Sequence, residues 1–89
     1  MTEEEEIVRA GEAERILKSE VFKDAVSQVE QSLLFAIRKA ALVDDKLREK
    51  AAVRYAVLHD LLAQLKSVME GGKLAEATLA QRLKQKIWN

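Results

Sequence analysis

Apolar residues recur at alternating spacings of four and three along residues 45–70, and the rest of the chain is organised around this pattern. The row consists of Ala51, Tyr55, Leu58, Leu62, Leu65 and Met69. Positions three and four apart lie on one face of an α-helix, so the row predicts a seam along which one helix packs on another.

Residues 20–42 carry the same pattern. Its seam residues are again spaced by four and three: Phe22, Val26, Val29, Leu33, Ala36 and Ala40. A second apolar row widens the stripe, so this helix is expected to contact more than one neighbour. That second row is Ala25, Leu34, Ile37 and Ala41.

The residues Val43-Asp44-Asp45 separate the two stretches. An aspartate at this point can cap the following helix, and a connection this short makes the two helices antiparallel neighbours. The sequence therefore predicts an all-α fold built on an antiparallel helical hairpin, 20–42 against 46–70. We expect this hairpin to assemble into a helical bundle.

A shorter helix is predicted over residues 3–18, before the hairpin. Thr2 and Glu5 fit a capping box, and four glutamates in the first turn suit the positive end of the helix dipole. Ser19 can cap the next helix, although one continuous helix bending at that point is an open alternative.

Gly71-Gly72 predicts the end of the long helix, because glycine readily adopts the left-handed conformation that satisfies the last carbonyl groups. A final helix is then expected over residues 73–88. With both flanking helices included, residues 1–89 form a single predicted helical domain.

The composition points towards partners. The chain has 89 residues with only four aromatic side chains, and much of its 48% hydrophobic content is alanine. A chain this short buries only about 60–65% of its unfolded surface, and helices from further copies or from another protein are the usual remedy. We therefore expect a homo-oligomer, a protein partner, or both.

The charge argues against a general nucleic-acid or membrane binder, because the formal net charge is zero. The two ends differ, however. Residues 1–20 carry seven acids against three bases, whereas residues 73–89 carry four bases against one acid. These ends either attract each other, within or between copies, or are simply solvated helix ends of opposite sign.

Catalytic chemistry has little support in the residues. Cysteine is absent, His59 is the only histidine, and no metal-binding, phosphate-binding or nucleophile motif occurs. We predict no enzyme activity, no cofactor and no metal site. The N-terminus lacks an apolar run and no stretch approaches a membrane span, so a soluble, cytoplasmic protein is expected.

The candidate interaction residues are the outward apolar row of the hairpin and the C-terminal tail: Ala25, Leu34, Ile37, Ala41, Leu79, Leu83, Ile87 and Trp88. Trp88 is either a lid on the hairpin or an anchor for a partner, and we favour the anchor because tryptophan is common at interface hot spots.

Two alternatives compete with assembly. A nucleic-acid-linked packaging or regulatory factor would use basic residues around the hairpin tip and in the tail, namely Arg38, Lys39, Lys46, Arg48, Lys50, Arg54, Arg82, Lys84 and Lys86. Solvated helix faces explain all of these residues without nucleic acid, so this interpretation is less favoured than assembly. The other alternative is a small inhibitor that binds one host protein.

Several local patterns are shared with a loose group of proteins. They are Ala13-Glu14-Arg15-Ile16-Leu17, the Phe22/Ala25/Glu30 spacing, Asp45-x-x-Arg48-Glu49, the leucine-rich run 58–65 and Gly72-Lys73-Leu74-Ala75-Glu76. Over residues 11–76 the chain resembles short, all-helical proteins encoded by tailed bacteriophages and prophages. The resemblance implies a virion or assembly component in multiple copies, located in the host cytoplasm or in the virion, and it supplies no catalytic residues.

Overall fold

The computed structural model describes residues 1–40 and 44–88, with side chains through Lys86. Within these ranges the chain forms three α-helices and no strand: α1 (Glu3–Lys18), α2 (Glu20–Ala40) and α3 (Asp45–Trp88). The all-α prediction is confirmed. The predicted last residues of the second helix, 41–42, and Val43 of the connection lie outside the described residues.

Each helix begins at the capping residue that the sequence predicts. The Thr2 Oγ1 accepts a hydrogen bond from the Glu5 N–H at 3.1 Å. The Ser19 Oγ accepts one from the Phe22 N–H at 3.3 Å. The Asp44 Oδ1 accepts one from the Leu47 N–H at 3.1 Å. These bonds satisfy amide groups that have no partner within the first helical turn. Of the two alternatives open at Ser19, the structure has the break, because Ser19 itself is not helical.

Helix α3 is continuous through Gly71 and Gly72, so the predicted helix end at these residues is wrong. No separate helix begins at residue 73, and neither glycine has a positive φ. Each glycine costs a helix up to about 1 kcal/mol relative to alanine, and tertiary packing can outweigh this cost. At Gly72 this packing is provided by helix α1.

Two compact units share α3, and the first contains Met1–Leu17 with α3 from Gln64 onward. Helix α1 crosses α3 at Gly72, where an added Cβ would overlap the Cβ of Ala10 and lie 3.0 Å from the Glu6 carbonyl oxygen. At one end of this unit, Arg82 Nη1 lies 2.8 Å from Glu3 Oε1. The two contacts together show that α1 runs antiparallel to this part of α3.

The second unit, Lys18–Ala63, contains α2 and the first part of α3. On α3 the predicted seam is the less exposed face, since Ala51 is buried and Tyr55, Leu58 and Leu62 are half-buried. The segment 64–70, predicted to pair with the second helix, falls instead in the unit that contains α1.

On α2 the inward row differs from the predicted seam by one residue. Val29 was expected to face inward, but it is 48% exposed. The neighbouring Glu30 is half-buried, and its Oε2 lies 3.9 Å from the Nε2 of His59 on α3. The Glu30 side chain is 34% exposed, so water still reaches the carboxyl group at this position.

The core of the described residues is built from small side chains. The buried hydrophobic residues are all alanines, namely Ala10, Ala13, Ala40, Ala51 and Ala75, and no large side chain is fully buried. Buried apolar area stabilises by about 25 cal/mol per Å², so alanine contributes little compared with leucine or phenylalanine. The described chain therefore buries little of its large apolar surface.

Candidate interaction surfaces

Large apolar side chains are exposed in both units, to between 42% and 79%. They are Met1, Val8, Ile16, Val21, Val29, Phe35, Leu47, Val53, Val57, Leu61, Leu74 and Leu83. Single exposed apolar residues are normal in soluble proteins, but contiguous exposed rows indicate an interaction surface. The question is therefore which of these residues lie together.

In the second unit two exposed rows follow the helical repeat. On α3 the row is Val53, Val57 and Leu61; on α2 it is Val21, Ala25 and Val29. Residues four apart lie on one helix face, so each row is a continuous stripe. Except for Ala25, these residues were not among the predicted interaction residues, although the spacing of four was visible in the sequence.

A groove joins the two helices near the start of α3. Phe35, Ala36 and Ala40 of α2 line one wall and Leu47 of α3 lines the other, with a volume of about 430 Å³. The Lys39 Nζ lies 5.5 Å from the centroid of the Phe35 ring, within the range of a cation–π interaction. The groove is thus apolar, with one basic residue, Lys39, and one acidic residue, Asp44, among its lining residues.

The predicted interaction residues are placed unevenly. Ala25 and Leu83 are exposed, whereas Leu34, Ile37 and Leu79 are half-buried. Ala41 lies outside the described residues, as do the side chains of Ile87 and Trp88. The structure therefore brings Ala25 into an exposed apolar row and leaves Ile37 nearer the contact between α2 and α3.

The nine basic residues of the nucleic-acid alternative divide between the units. Arg38, Lys39, Lys46, Arg48, Lys50 and Arg54 belong to the second unit, and Arg82, Lys84 and Lys86 to the first. Arg48 Nη2 lies 2.9 Å from Asp45 Oδ1, and Arg82 pairs with Glu3. Arg48 is half-buried, and the other eight are exposed.

His59 lies at the margin of the seam. Its ring lies against the ring of Tyr55, with the centroids 4.4 Å apart and the planes tilted by 40°, and its side chain is 45% exposed. Residues 1–40 and 44–88 contain no group of three or more His, Cys, Asp or Glu side chains placed to hold a metal ion. The contacts of His59 with Tyr55 and Glu30 are those of a residue that joins α2 and α3.

The chain matches no protein-family model, and comparisons with curated proteins and with solved structures give no match either. In the part of the chain that the structure describes, no helix is long and apolar enough to cross a membrane. The function of the exposed rows and the groove is therefore inferred from the apolar and charged side chains that form them.

Proposed function

We propose that this protein is a non-enzymatic assembly component that acts through helix–helix packing and is present in multiple copies. The observation that supports this most strongly is the distribution of apolar side chains in the described residues. The buried hydrophobic residues are alanines, the large side chains along the seams are only half-buried, and further leucines, valines and a phenylalanine are exposed. A protein that worked as a monomer would gain stability by the reverse arrangement.

Assembly would bury the large apolar side chains that are exposed in a single copy. Burying a valine, leucine or phenylalanine side chain contributes about 1.5–3 kcal/mol relative to leaving it exposed. A small chain with a thin core gains this energy when neighbouring copies or another protein cover its exposed rows. The exposed rows of the second unit, with three large residues on α3 alone, provide such a surface.

The proposal includes the arrangement of α2 and the first part of α3 as an antiparallel hairpin. Two observations support it. Only four residues separate Ala40 from Asp45, and Glu30 near the middle of α2 lies beside His59, which is well along α3. In an antiparallel pair, residues further along α3 lie beside residues earlier in α2, as His59 and Glu30 do.

A phage virion or assembly pathway is the proposed setting, and the sequence resemblance over residues 11–76 is its support. Virion components are commonly repeated, which agrees with a surface suited to copies of one chain. The genes on either side of this one provide a direct check, because virion and assembly genes are expected beside it.

Size-exclusion chromatography with light scattering, over a series of protein concentrations, tests the assembly proposal. We expect a mass above that of one chain, which is 10.0 kDa, that falls on dilution. A mass of one chain at every concentration, together with no partner in pull-downs, would contradict it.

Nucleic-acid binding is a second candidate, supported by the exposed basic residues of the second unit. Residues 31–54 carry six bases against three acids, a net charge of +3. This candidate predicts an affinity for DNA or RNA that falls steeply as salt is raised and that is lost when Lys46, Lys50 and Arg54 are neutralised. Assembly unaffected by the same neutralisation would separate the two functions.

A further inference from the structure

The two exposed rows of the second unit lie on the same side of that unit. Val29 precedes the groove residue Ala36 by seven positions, and Leu61 follows the groove residue Leu47 by fourteen. At about 100° per residue, Val29 lies only about 20° from Ala36 around α2, and Leu61 about 40° from Leu47 around α3. Val29 and Leu61 therefore continue the two walls of the groove, and the rest of each row winds from there towards the outer flank of its helix. Together, Val21, Ala25, Val29, Val53, Val57 and Leu61 are called the outer face below.

The outer face belongs to a unit whose charge is unevenly distributed along its length. Residues 31–54, which adjoin the turn between α2 and α3, carry a net charge of +3. The remaining residues of the unit, 18–30 and 55–63, carry four acids against two bases, a net charge of −2 with His59 neutral. One end of the hairpin is therefore basic and the other end acidic.

We propose that the outer face binds the outer face of a second copy in antiparallel orientation, which forms a four-helix bundle. The inference rests on the proposed self-assembly and identifies its surface and geometry. In the antiparallel orientation the basic end of each copy lies over the acidic end of the other, so the charges are complementary at both ends. A parallel arrangement would place like charges together, which is unfavourable.

The side chains of the outer face suit this geometry. A twofold axis at mid-length places α2 against α2 and α3 against α3 of the partner copy. The α2 row is small at Ala25, which allows the two α2 helices to approach closely, and the α3 row supplies larger valine and leucine side chains. Helices in such a bundle pack through apolar stripes of this width, with charged residues at the margins.

The surface is tested by replacing Val57 or Leu61 with aspartate. Both side chains are more than half exposed, so the fold of one copy should tolerate the change, which circular dichroism checks. In an interface the introduced carboxylate would be desolvated, and we expect the dissociation constant to rise by at least about tenfold. Ala56→Asp is the matched control, because Ala56 is exposed on the same helix outside both the seam and the outer face.

The orientation is tested by disulfide formation, which is straightforward because the chain has no cysteine. We expect a mixture of Asp24→Cys and Lys39→Cys proteins to form the mixed disulfide, since these positions lie at opposite ends of α2. Lys39→Cys alone should crosslink poorly. Ser32→Cys, near the middle of α2, should crosslink with itself.

The outcomes separate this inference from the proposed function. A wild-type protein of one-chain mass at every concentration would overturn both. An oligomer that is unchanged by Val57→Asp and Leu61→Asp would retain self-assembly but reject the outer face as its surface. Efficient crosslinking of Lys39→Cys with itself, and not with Asp24→Cys, would overturn the antiparallel orientation.

Discussion

The methyl group of Ala10 on α1 occupies the space that a side chain on Gly72 of α3 would need. The Cα of Ala10 lies 3.3 Å from the position that a Cβ on Gly72 would occupy. This contact joins α1 to the later part of α3 at the point where the sequence predicts a helix end. The glycine thus serves the approach of two helices, with its own backbone in the helical region.

The first prediction concerns Gly72→Ala. The added methyl group would overlap Ala10 and crowd the Glu6 carbonyl oxygen, and overpacking of this kind typically costs about 1–3 kcal/mol. The gain in helix propensity offsets up to about 1 kcal/mol of this cost. We expect a lower free energy of unfolding, measured by urea denaturation at fixed protein concentration.

Gly71→Ala is the control for this effect, because nothing lies within 4 Å of an added Cβ at Gly71. This change should stabilise α3 by about 0.5–1 kcal/mol. Adding Ala10→Gly to Gly72→Ala should restore part of the lost stability, since it removes the overlapping methyl group. Equal stabilisation by alanine at both glycines would argue against the contact with α1.

The second prediction concerns the cap of α3 at Asp44. Its Oδ1 accepts the Leu47 N–H at 3.1 Å, and loss of an N-cap typically costs about 0.5–2 kcal/mol. Asp44→Ala should lower the free energy of unfolding by this amount. Asp44→Asn keeps an oxygen acceptor and should retain most of the stability; if Asn and Ala were equally damaging, the cap would not be the reason.

The third prediction concerns the Glu3–Arg82 ion pair, in which the two side chains are 29% and 63% exposed. Exposed ion pairs contribute about 0–1 kcal/mol and weaken as salt is raised. Glu3→Arg or Arg82→Glu alone should destabilise the protein slightly at low salt. The double exchange should recover that loss, and a coupling energy that is insensitive to salt would contradict the assignment.

The fourth prediction concerns Trp88, which the sequence suggests is an anchor for a partner. Trp88→Ala should shift the equilibrium towards single chains in light scattering, because tryptophan is often an interface hot spot. If Trp88 is a lid, the change would instead lower the urea stability and leave assembly unchanged. Measuring both quantities on one variant distinguishes the two roles.

Several features were predictable because they depend on neighbours in sequence. The caps at Thr2, Ser19 and Asp44 each involve an amide three residues away, so the local pattern was sufficient to propose a cap near each helix start. It left open whether the helix breaks at Ser19 and which of the two aspartates caps α3. The apolar row from Ala51 to Met69 was equally readable, since the spacing of four and three is itself the helical repeat.

The course of the chain at Gly71 and Gly72 was decided by tertiary structure. The pair is compatible with a helix end or with a continued helix, and the distant α1 makes the difference by packing on Gly72. A signal existed in the sequence, because the spacing of four and three continues from Met69 through Gly72 to Leu79 and Leu83. The glycine at a seam position interrupts the apolar pattern and conceals that signal.

The inward row of α2 was also decided by tertiary structure, since Glu30 rather than Val29 faces His59. Hydrophobicity favours Val29 for that position, whereas the way α2 packs on α3 places Glu30 there with a third of its side chain still in contact with water. The sequence alone therefore determined the helices and their starts through local hydrogen bonds and periodicity. The partners of each helix, and the faces left exposed, depended on contacts between residues distant along the chain.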